Sequence, residues 1–224
     1  MRGPVDGDPC KWCDCWMAKR KSERPTRNGL GTRLLTPRLL LRPPAEDHGA
    51  SIARALRRNA AHLARVTPSV PPSSSLVAVA QRVAAERREF TRGTTFAFYA
   101  FIRAAAAPPA GPPDVVAKVV LSGVHRGALQ GAYLGYWVDA RHEGQGLAYE
   151  AVRAVIEFAM TDAKLHRLQA AIQPWNARSV ALVRRLGFRH EGLARRYLDV
   201  GGGWQDHEVY ALTSEEWRYG PAPV

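Results

Sequence analysis

Residues 141–146, with the sequence RHEGQG, lie between two stretches that indicate different secondary structures. Residues 132–138 (AYLGYWV) form an apolar run typical of a buried strand, and residues 147–160 repeat apolar side chains with a helical period. A turn at this junction leaves backbone N–H groups without intrahelical acceptors, at the positive end of the helix dipole. Gly144 and Gly146 have no Cβ, so a bulky anion can approach the backbone closely. The stretch therefore predicts a site for a diphosphate group.

Two common phosphate-binding motifs are excluded. A dinucleotide-binding fingerprint requires a third glycine, but Gly146 is followed by Leu-Ala-Tyr. A P-loop requires Gly-Lys-Ser/Thr, which the stretch also lacks. The pattern that remains is Arg-x-x-Gly-x-Gly.

Further motifs accompany this turn in a fixed order. Residues 168–172 (LQAAI) predict a short buried strand, and residues 180–186 predict a helix that ends at Gly187. Three motifs frame these elements: Gly-Tyr-Trp-Val at 135–138, Asn-x-x-Ser at 176–179 and Gly-Phe-x-x-Glu-Gly at 187–192. Together with Arg-x-x-Gly-x-Gly, they resemble the RimJ/RimL branch of the GNAT superfamily of acetyl-CoA-dependent N-acetyltransferases. The resemblance is dense over residues 133–212 and extends more thinly to residues 39–43 (LLLRP), which are similar to the opening strand of the family.

The resemblance implies both a fold and an activity. The fold is a mixed α/β GNAT-type domain, with a twisted, mostly antiparallel sheet that is flanked by helices and splayed between its central parallel strands. The activity is transfer of an acetyl group from acetyl-CoA to the N-terminal amino group of a protein, ribosomal proteins among them. Two alternatives stay open at this point: transfer to a small amine such as an antibiotic, a polyamine or an amino acid, and a cofactor-binding domain that has lost catalysis.

The resemblance also assigns cofactor-binding roles. The backbone N–H of Val138 points at the thioester oxygen, the Arg141 side chain adds charge at the edge of the diphosphate, and the Asn176 amide bonds the pantetheine arm. The diphosphate is held by the backbone N–H groups of five consecutive residues: Glu143, Gly144, Gln145, Gly146 and Leu147.

Catalytic candidates follow from the same motifs. Ser179 lies one helical turn after Asn176, faces the same side and is predicted to protonate the leaving thiolate. Asn176 can instead be a helix N-cap, and the two roles are compatible. Glu191 is a candidate general base, although it can equally form a salt bridge with an arginine. Leu198 occupies the position where some relatives carry a glutamate that acts as the general base. His190 or a water relay are therefore further alternatives for that role.

The rest of the chain predicts one domain with two tails. Residues 1–30 are expected to be a disordered extension, residues 31–218 the GNAT domain and residues 219–224 a tail, and the chain after Trp217 is expected to be loose. Helices are predicted from residue 45 through Leu56 and over 76–90. Strands are predicted at 39–41, 94–102, 115–124 and 129–138, with a terminal hairpin that pairs 195–200 with 208–212 around three glycines.

Composition restricts the function further. The formal net charge is +12, and most of the basic residues are arginine. This charge can reflect an arginine-rich proteome, or it can attract a polyanion such as acetyl-CoA or a ribosomal surface. Direct recognition of nucleic acid is not expected, because no ribonucleoprotein motif or zinc-finger spacing accompanies the charge. No membrane-spanning run or secretory signal is found, which favours a cytoplasmic enzyme. Both a monomer and a homodimer are compatible with the sequence.

Three cysteines lie close together near the N-terminus, at Cys10, Cys13 and Cys15. Three thiolates would need a fourth ligand to bind zinc, and the nearest histidine, His48, is far along the chain. We therefore expect no metal site, and we expect this segment to be part of an unstructured extension.

Overall fold

The computed structural model describes residues 29–67, 74–103 and 113–219. The cysteines, most of the predicted N-terminal extension and residues 220–224 lie outside the described residues.

Within the described residues, eight strands form one sheet in the order β1-β2-β3-β4-β5-β6-β8-β7. The β5–β6 pair is parallel, and every other neighbouring pair is antiparallel. This confirms the predicted class of mixed sheet. The strands are β1 (Leu34–Leu35), β2 (Leu39–Arg42), β3 (Phe96–Ile102), β4 (Val115–His125), β5 (Gly131–Val138), β6 (Arg167–Ile172), β7 (Arg189–Asp199) and β8 (Trp204–Thr213).

Helices flank the sheet: α1 (Gly49–Arg58), α2 (Ala60–Val66), α3 (Leu76–Arg92), α4 (Leu147–Thr161), α5 (Ala177–Arg185) and α6 (Ser214–Tyr219). The predicted helix at residue 45 begins as a 3-10 turn, Glu46–His48, before α1. Helix α2 was not predicted from the sequence.

Helix α6 continues to Tyr219, so the first two residues after Trp217, where a loose tail was expected, are helical. The rest of the expected tail lies outside the described residues. A reciprocal cap starts this helix. The Glu216 carboxylate accepts from the Thr213 N–H at 2.7 Å, and the Glu216 N–H donates back to the Thr213 hydroxyl at 3.4 Å. This arrangement is a capping box, which satisfies N–H groups that a helix start otherwise leaves without partners.

Alternate residues of β3 face two cores, as the pleat of a strand requires. Phe96 and Phe98 pack edge-on against Phe158 of α4, with ring centroids 5.3 Å and 5.0 Å apart. Tyr99 and Phe101 belong to a second buried cluster with residues of α1, α2 and α3. The sheet is therefore covered by α4 on one face and by the first helices on the other.

The two central strands separate soon after they begin to pair. Strand β5 pairs with β6 only from Gly131 to Tyr133, and the last partners are Tyr133 and Gln169. Beyond them, β5 continues beside β4 to Val138, while β6 continues beside β8 to Ile172. The result is the predicted splay, a gap in the sheet that widens toward the C-terminal ends of β5 and β6.

Candidate active site

The β5 edge of the gap presents backbone groups that no strand pairs. The Asp139 N–H donates to the Val116 carbonyl at 2.8 Å, so the backbone groups of Asp139 point toward β4. Because these groups alternate along an antiparallel strand, those of Tyr136 and Val138 point the other way, into the gap. An extended ligand with its own amides can pair with this edge as an added strand. The predicted role of the Val138 N–H is consistent with this direction and stays a prediction.

The turn after β5 offers free N–H donors. A 3-10 segment, Ala140–His142, leads into it, and both Gly144 (φ 73°) and Gly146 (φ 76°) adopt the left-handed backbone conformation that favours glycine. In the part of the chain that the structure describes, the N–H groups of residues 144–147 have no protein acceptor, and the Glu143 N–H makes only a long bond of 3.4 Å to Ala140. These donors lie at the N-terminus of α4 and suit a diphosphate.

Arg38 contacts this turn from outside it, and its contact was not predicted from the sequence. Its Nη1 donates to the Gln145 carbonyl at 2.8 Å, and its Nε donates to the Glu150 carboxylate at 2.7 Å. A Cβ on Gly146 would lie 3.5 Å from the Nη2 of Arg38. Sequence reasoning had no signal for this contact, because Arg38 lies before β2 while its partners belong to the turn and to α4.

The Arg141 guanidinium lies against two carboxylates. It contacts Asp139 at 3.4 Å and Asp114 at 3.2 Å, and the Arg141 N–H also donates to Asp139. The side chain is half exposed. Its predicted place at the edge of the diphosphate stays a prediction.

Asp139 connects the end of β5 to α1. Its side chain is fully buried and accepts from the Arg58 Nε at 2.7 Å. Burial alone would raise the pKa of this carboxyl, but the hydrogen bonds from Arg58 and Arg141 outweigh it and lower the pKa to about 2. Beside it, the Ala140 N–H donates to Asn59 at 2.9 Å. The start of the turn is therefore held to the junction of α1 and α2.

Asn176 and Ser179 lie on the β6 side of the gap. Asn176 Oδ1 accepts from the Ser179 N–H at 3.2 Å, which confirms the N-cap role and explains why α5 begins three residues before its predicted start. The Tyr136 hydroxyl donates to the Ser179 carbonyl at 3.3 Å, and burial raises the Tyr136 pKa to about 12. Within the described residues, the Ser179 hydroxyl has no hydrogen-bond partner. It is therefore free to act on a ligand.

The Glu143 side chain faces α5 across the open end of the gap. Its carboxylate pairs with Arg178 and lies 3.7 Å from His62 Nε2. The predicted role of Glu143 concerns only its backbone N–H.

Glu191 is held by two guanidinium groups. Arg167 binds its two carboxylate oxygens, one of them at 3.0 Å, and Arg189 binds at 2.9 Å. The salt-bridge alternative is therefore confirmed. These contacts, that of Arg167 first, lower the pKa of Glu191 and make it a weaker base. A catalytic role for Glu191 stays a prediction.

Tyr197 lies near Tyr133, where the gap opens, and this position was not predicted from the sequence. The β7–β8 register shifts between Ala194 and Leu198, and the Arg196 N–H in this bulge donates to Asp206 at 2.7 Å. The bulge directs Tyr197 over His207, at 6.0 Å between ring centroids, and toward Tyr133 and Gln169. Burial, followed by the neighbouring Tyr133, raises the Tyr197 pKa. The sequence did not reveal this, because a bulge cannot be located from alternation alone.

Among the helices of the described residues, none has the length and apolar composition of a membrane span. No group of three or more histidine, cysteine, aspartate or glutamate residues there could hold a metal ion.

A family model described as the acetyltransferase (GNAT) domain matches residues 38–189. The chain belongs to the GNAT acetyltransferase family. Among curated proteins, it is 38% identical to the ribosomal protein uS5-alanine N-acetyltransferase of Escherichia coli over 107 residues, 48% of this chain and 55% of that protein. The chain thus aligns with about half the length of this relative.

Solved structures agree on the GNAT fold. Mycobacterium smegmatis RimJ in complex with CoA-disulfide is 29% identical, with a TM-score of 0.72, and the match covers 80% of this chain and 83% of that one. The ribosomal-protein-S5-alanine acetyltransferase of Vibrio fischeri is 24% identical, with a TM-score of 0.74 and coverage of 83% and 98%. The second likeness concerns the fold alone.

Proposed function

We propose that this GNAT domain is an acetyl-CoA-dependent N-acetyltransferase and that its acceptor is the N-terminal α-amino group of a protein. One observation carries the proposal: the strand edge that opens at Tyr133 leads into the turn in which the N–H groups of residues 144–147 have no acceptor among the described residues. The unpaired strand edge suits the amides of the pantetheine arm of acetyl-CoA. The cluster of N–H donors that follows it suits the diphosphate.

When bound, acetyl-CoA supplies an acyl group already activated as a thioester. The N–H groups of residues 143–147 hold its diphosphate, and the β5 edge holds its arm in an extended conformation. The Val138 N–H donates toward the thioester oxygen, where negative charge develops during transfer. This alignment lowers the entropic part of the barrier.

On the β6 side, the Ser179 hydroxyl donates a proton to the departing sulfur. The Asn176 side chain caps α5 through Oδ1, which leaves its Nδ2 free to donate to the arm. Both residues are fixed relative to β5 because Tyr136 bonds the Ser179 backbone.

The acceptor amine reaches the gap from the face that carries Tyr133 and Tyr197. Leu168 and Ala170 of β6 point into the core under α4, so Arg167 and Gln169 point to the opposite face. Glu191, bound to Arg167, lies on that face and is the candidate that takes the proton of the amine. Glu191→Gln separates its two roles, because loss of a base lowers turnover while loss of an ion pair alone lowers stability.

Support for a protein acceptor comes from the relatives. The Escherichia coli relative acts on the alanine of a ribosomal protein, according to its name. The net charge of +12 also suits a ribosomal surface.

The decisive experiment is thiol release from acetyl-CoA against two acceptor panels, followed by mass spectrometry of the products. One panel holds peptides that differ in their first residue, and the other holds polyamines, amino acids and aminoglycosides. We expect turnover with a subset of peptides, with the mass increase of one acetyl group at the α-amine. Turnover of small amines alone would contradict the proposal that the acceptor is a protein. Binding of acetyl-CoA without any turnover would contradict the proposal that the protein is an enzyme.

A further inference from the structure

Arg38 and Thr36 hold the first turn of α4 through a single carboxylate. The Arg38 N–H and Nε donate to Oε1 and Oε2 of Glu150, both at 2.7 Å, and the Thr36 hydroxyl donates to Oε1 at 2.5 Å. Burial raises the pKa of Glu150, but these hydrogen bonds outweigh it and the net shift is downward. Glu150 therefore stays charged and fixes the orientation of the Arg38 side chain.

The guanidinium of Arg38 extends from this carboxylate to the turn. A guanidinium has five N–H donors. The Arg38 Nε binds Glu150, and Nη1 binds the carbonyl of Gln145 at 2.8 Å. Within the described residues, Nη2 has no acceptor, and it lies beside Gly146, where a Cβ would be 3.5 Å away. The side chain is half exposed, so this edge is accessible to a ligand.

We propose that Arg38 is a phosphate-binding residue of the acetyl-CoA site, which contacts the diphosphate beside Gly146, and that Glu150 and Thr36 position it. The inference rests on the proposed cofactor and adds a second side-chain cation, besides the predicted Arg141, to the backbone donors of the site. Planar guanidinium groups bind phosphate oxygens through two parallel hydrogen bonds. Because Glu150 already fixes the side chain, binding costs less conformational entropy than with a mobile arginine.

The test is calorimetric binding of three thiols that contain successively smaller parts of CoA. CoA carries the diphosphate and a 3′-phosphate, dephospho-CoA keeps the diphosphate, and pantetheine has neither, so its affinity is measured by competition. For Arg38→Met we expect about tenfold weaker binding of CoA and of dephospho-CoA, with pantetheine unchanged. An equal loss for all three would make Arg38 a structural residue. A loss for CoA alone would move the contact to the 3′-phosphate, and no loss would remove Arg38 from the site. Each of these three results overturns the proposal.

Arg33→Met is the matched control, because it removes the same charge from an exposed side chain in the same segment of the chain. Its CoA affinity should equal that of the unmodified protein. A loss as large as that of Arg38→Met would show that the effect of Arg38→Met comes from the change in net charge alone. Arg38→Lys keeps the charge without the planar pair of donors, and we expect it to bind CoA more weakly than the unmodified protein but more tightly than Arg38→Met. It also tests the proposal if Arg38→Met does not fold.

Glu150→Gln tests the positioning half of the inference. We expect weaker CoA binding, because the amide holds the guanidinium less firmly. Tighter binding would show that the carboxylate merely repels the diphosphate. These measurements need no acceptor amine. An unmodified protein that fails to bind CoA would refute the proposed function itself, whereas full binding by Arg38→Met would refute only the role of Arg38.

Discussion

Two glycines of the turn have similar backbones but different surroundings. Gly144 and Gly146 both have positive φ, so alanine at either position costs about 1 kcal/mol in backbone strain. A methyl group at position 144 would meet open space, whereas at position 146 it would cover Nη2 of Arg38. The two positions therefore separate strain from ligand access.

We predict that Gly144→Ala and Gly146→Ala lower Tm by a similar few degrees, and that Gly146→Ala weakens CoA binding severalfold more. Thermal unfolding and calorimetry on both variants check this. Equal CoA affinities would show that the space beside Gly146 is not used by the ligand.

The Ser179 hydroxyl is the side-chain group most open to a test of chemistry. Its backbone N–H and carbonyl already have partners in Asn176 and Tyr136, so Ser179→Ala removes only the hydroxyl. We predict that turnover falls about a hundredfold while acetyl-CoA affinity stays near that of the unmodified protein. Steady-state kinetics and calorimetry distinguish this from a structural role, in which binding would fall as well. Ser122→Ala, on β4, is a control that should leave both unchanged.

At the scale of the element, the start of α5 combines a cap with a candidate ligand contact. Asn176→Asp keeps the accepting oxygen of the cap but removes the Nδ2 donors, and a carboxylate suits a helix N-terminus. We predict unchanged unfolding free energy and weaker acetyl-CoA binding. Asn176→Ala should lose about 1 kcal/mol of stability as well. Unchanged affinity in Asn176→Asp would leave Asn176 with the cap alone.

The contact between β5 and α1 should make stability depend on pH. The folded pKa of Asp139 is about 2, below its ordinary value of 3.8, so its contribution is complete above that value and is lost as pH falls toward 2. The difference corresponds to about 2 kcal/mol. We predict that Asp139→Asn loses about 3 kcal/mol at pH 7, since Arg58 then lacks its buried partner, and less at pH 3. Urea unfolding at both pH values measures this, and an equal loss at both would contradict it.

At the scale of the whole molecule, cofactor binding should stabilise the fold. The proposed contacts belong to β5, α4, α5 and the turn before β2, so a bound ligand links elements that are far apart in the chain. At a concentration of about 100 times Kd, CoA should add about 2.7 kcal/mol and raise Tm by about 5–10 °C. Thermal unfolding with CoA and with pantetheine measures this, and an equal shift for both thiols would contradict a diphosphate site.

Local patterns were sufficient for much of the fold. Strand β5, the glycine turn and α4 were predicted because each has its own period or backbone requirement within a few residues. The bulge at Arg196 and helix α2 were not, since the first depends on a hydrogen bond to Asp206 and the second on burial of Leu63 in the core under β3. The capping box of α6 was a local signal, Thr-x-x-Glu at residues 213–216, that the sequence analysis overlooked.

The sequence by itself indicated the family through its motifs, and it indicated most of the elements and the backbone donors of the turn, because these depend on short-range spacing. Only the tertiary structure decided which side chains meet there. Arg38 contacts Gln145 and Glu150, which follow it in the chain by 107 and 112 residues, and Glu191 is bound by Arg167 of another strand. Arg141 lies against Asp114 and Asp139. Contacts of this kind depend on how the sheet brings distant segments together, which local periodicity does not specify.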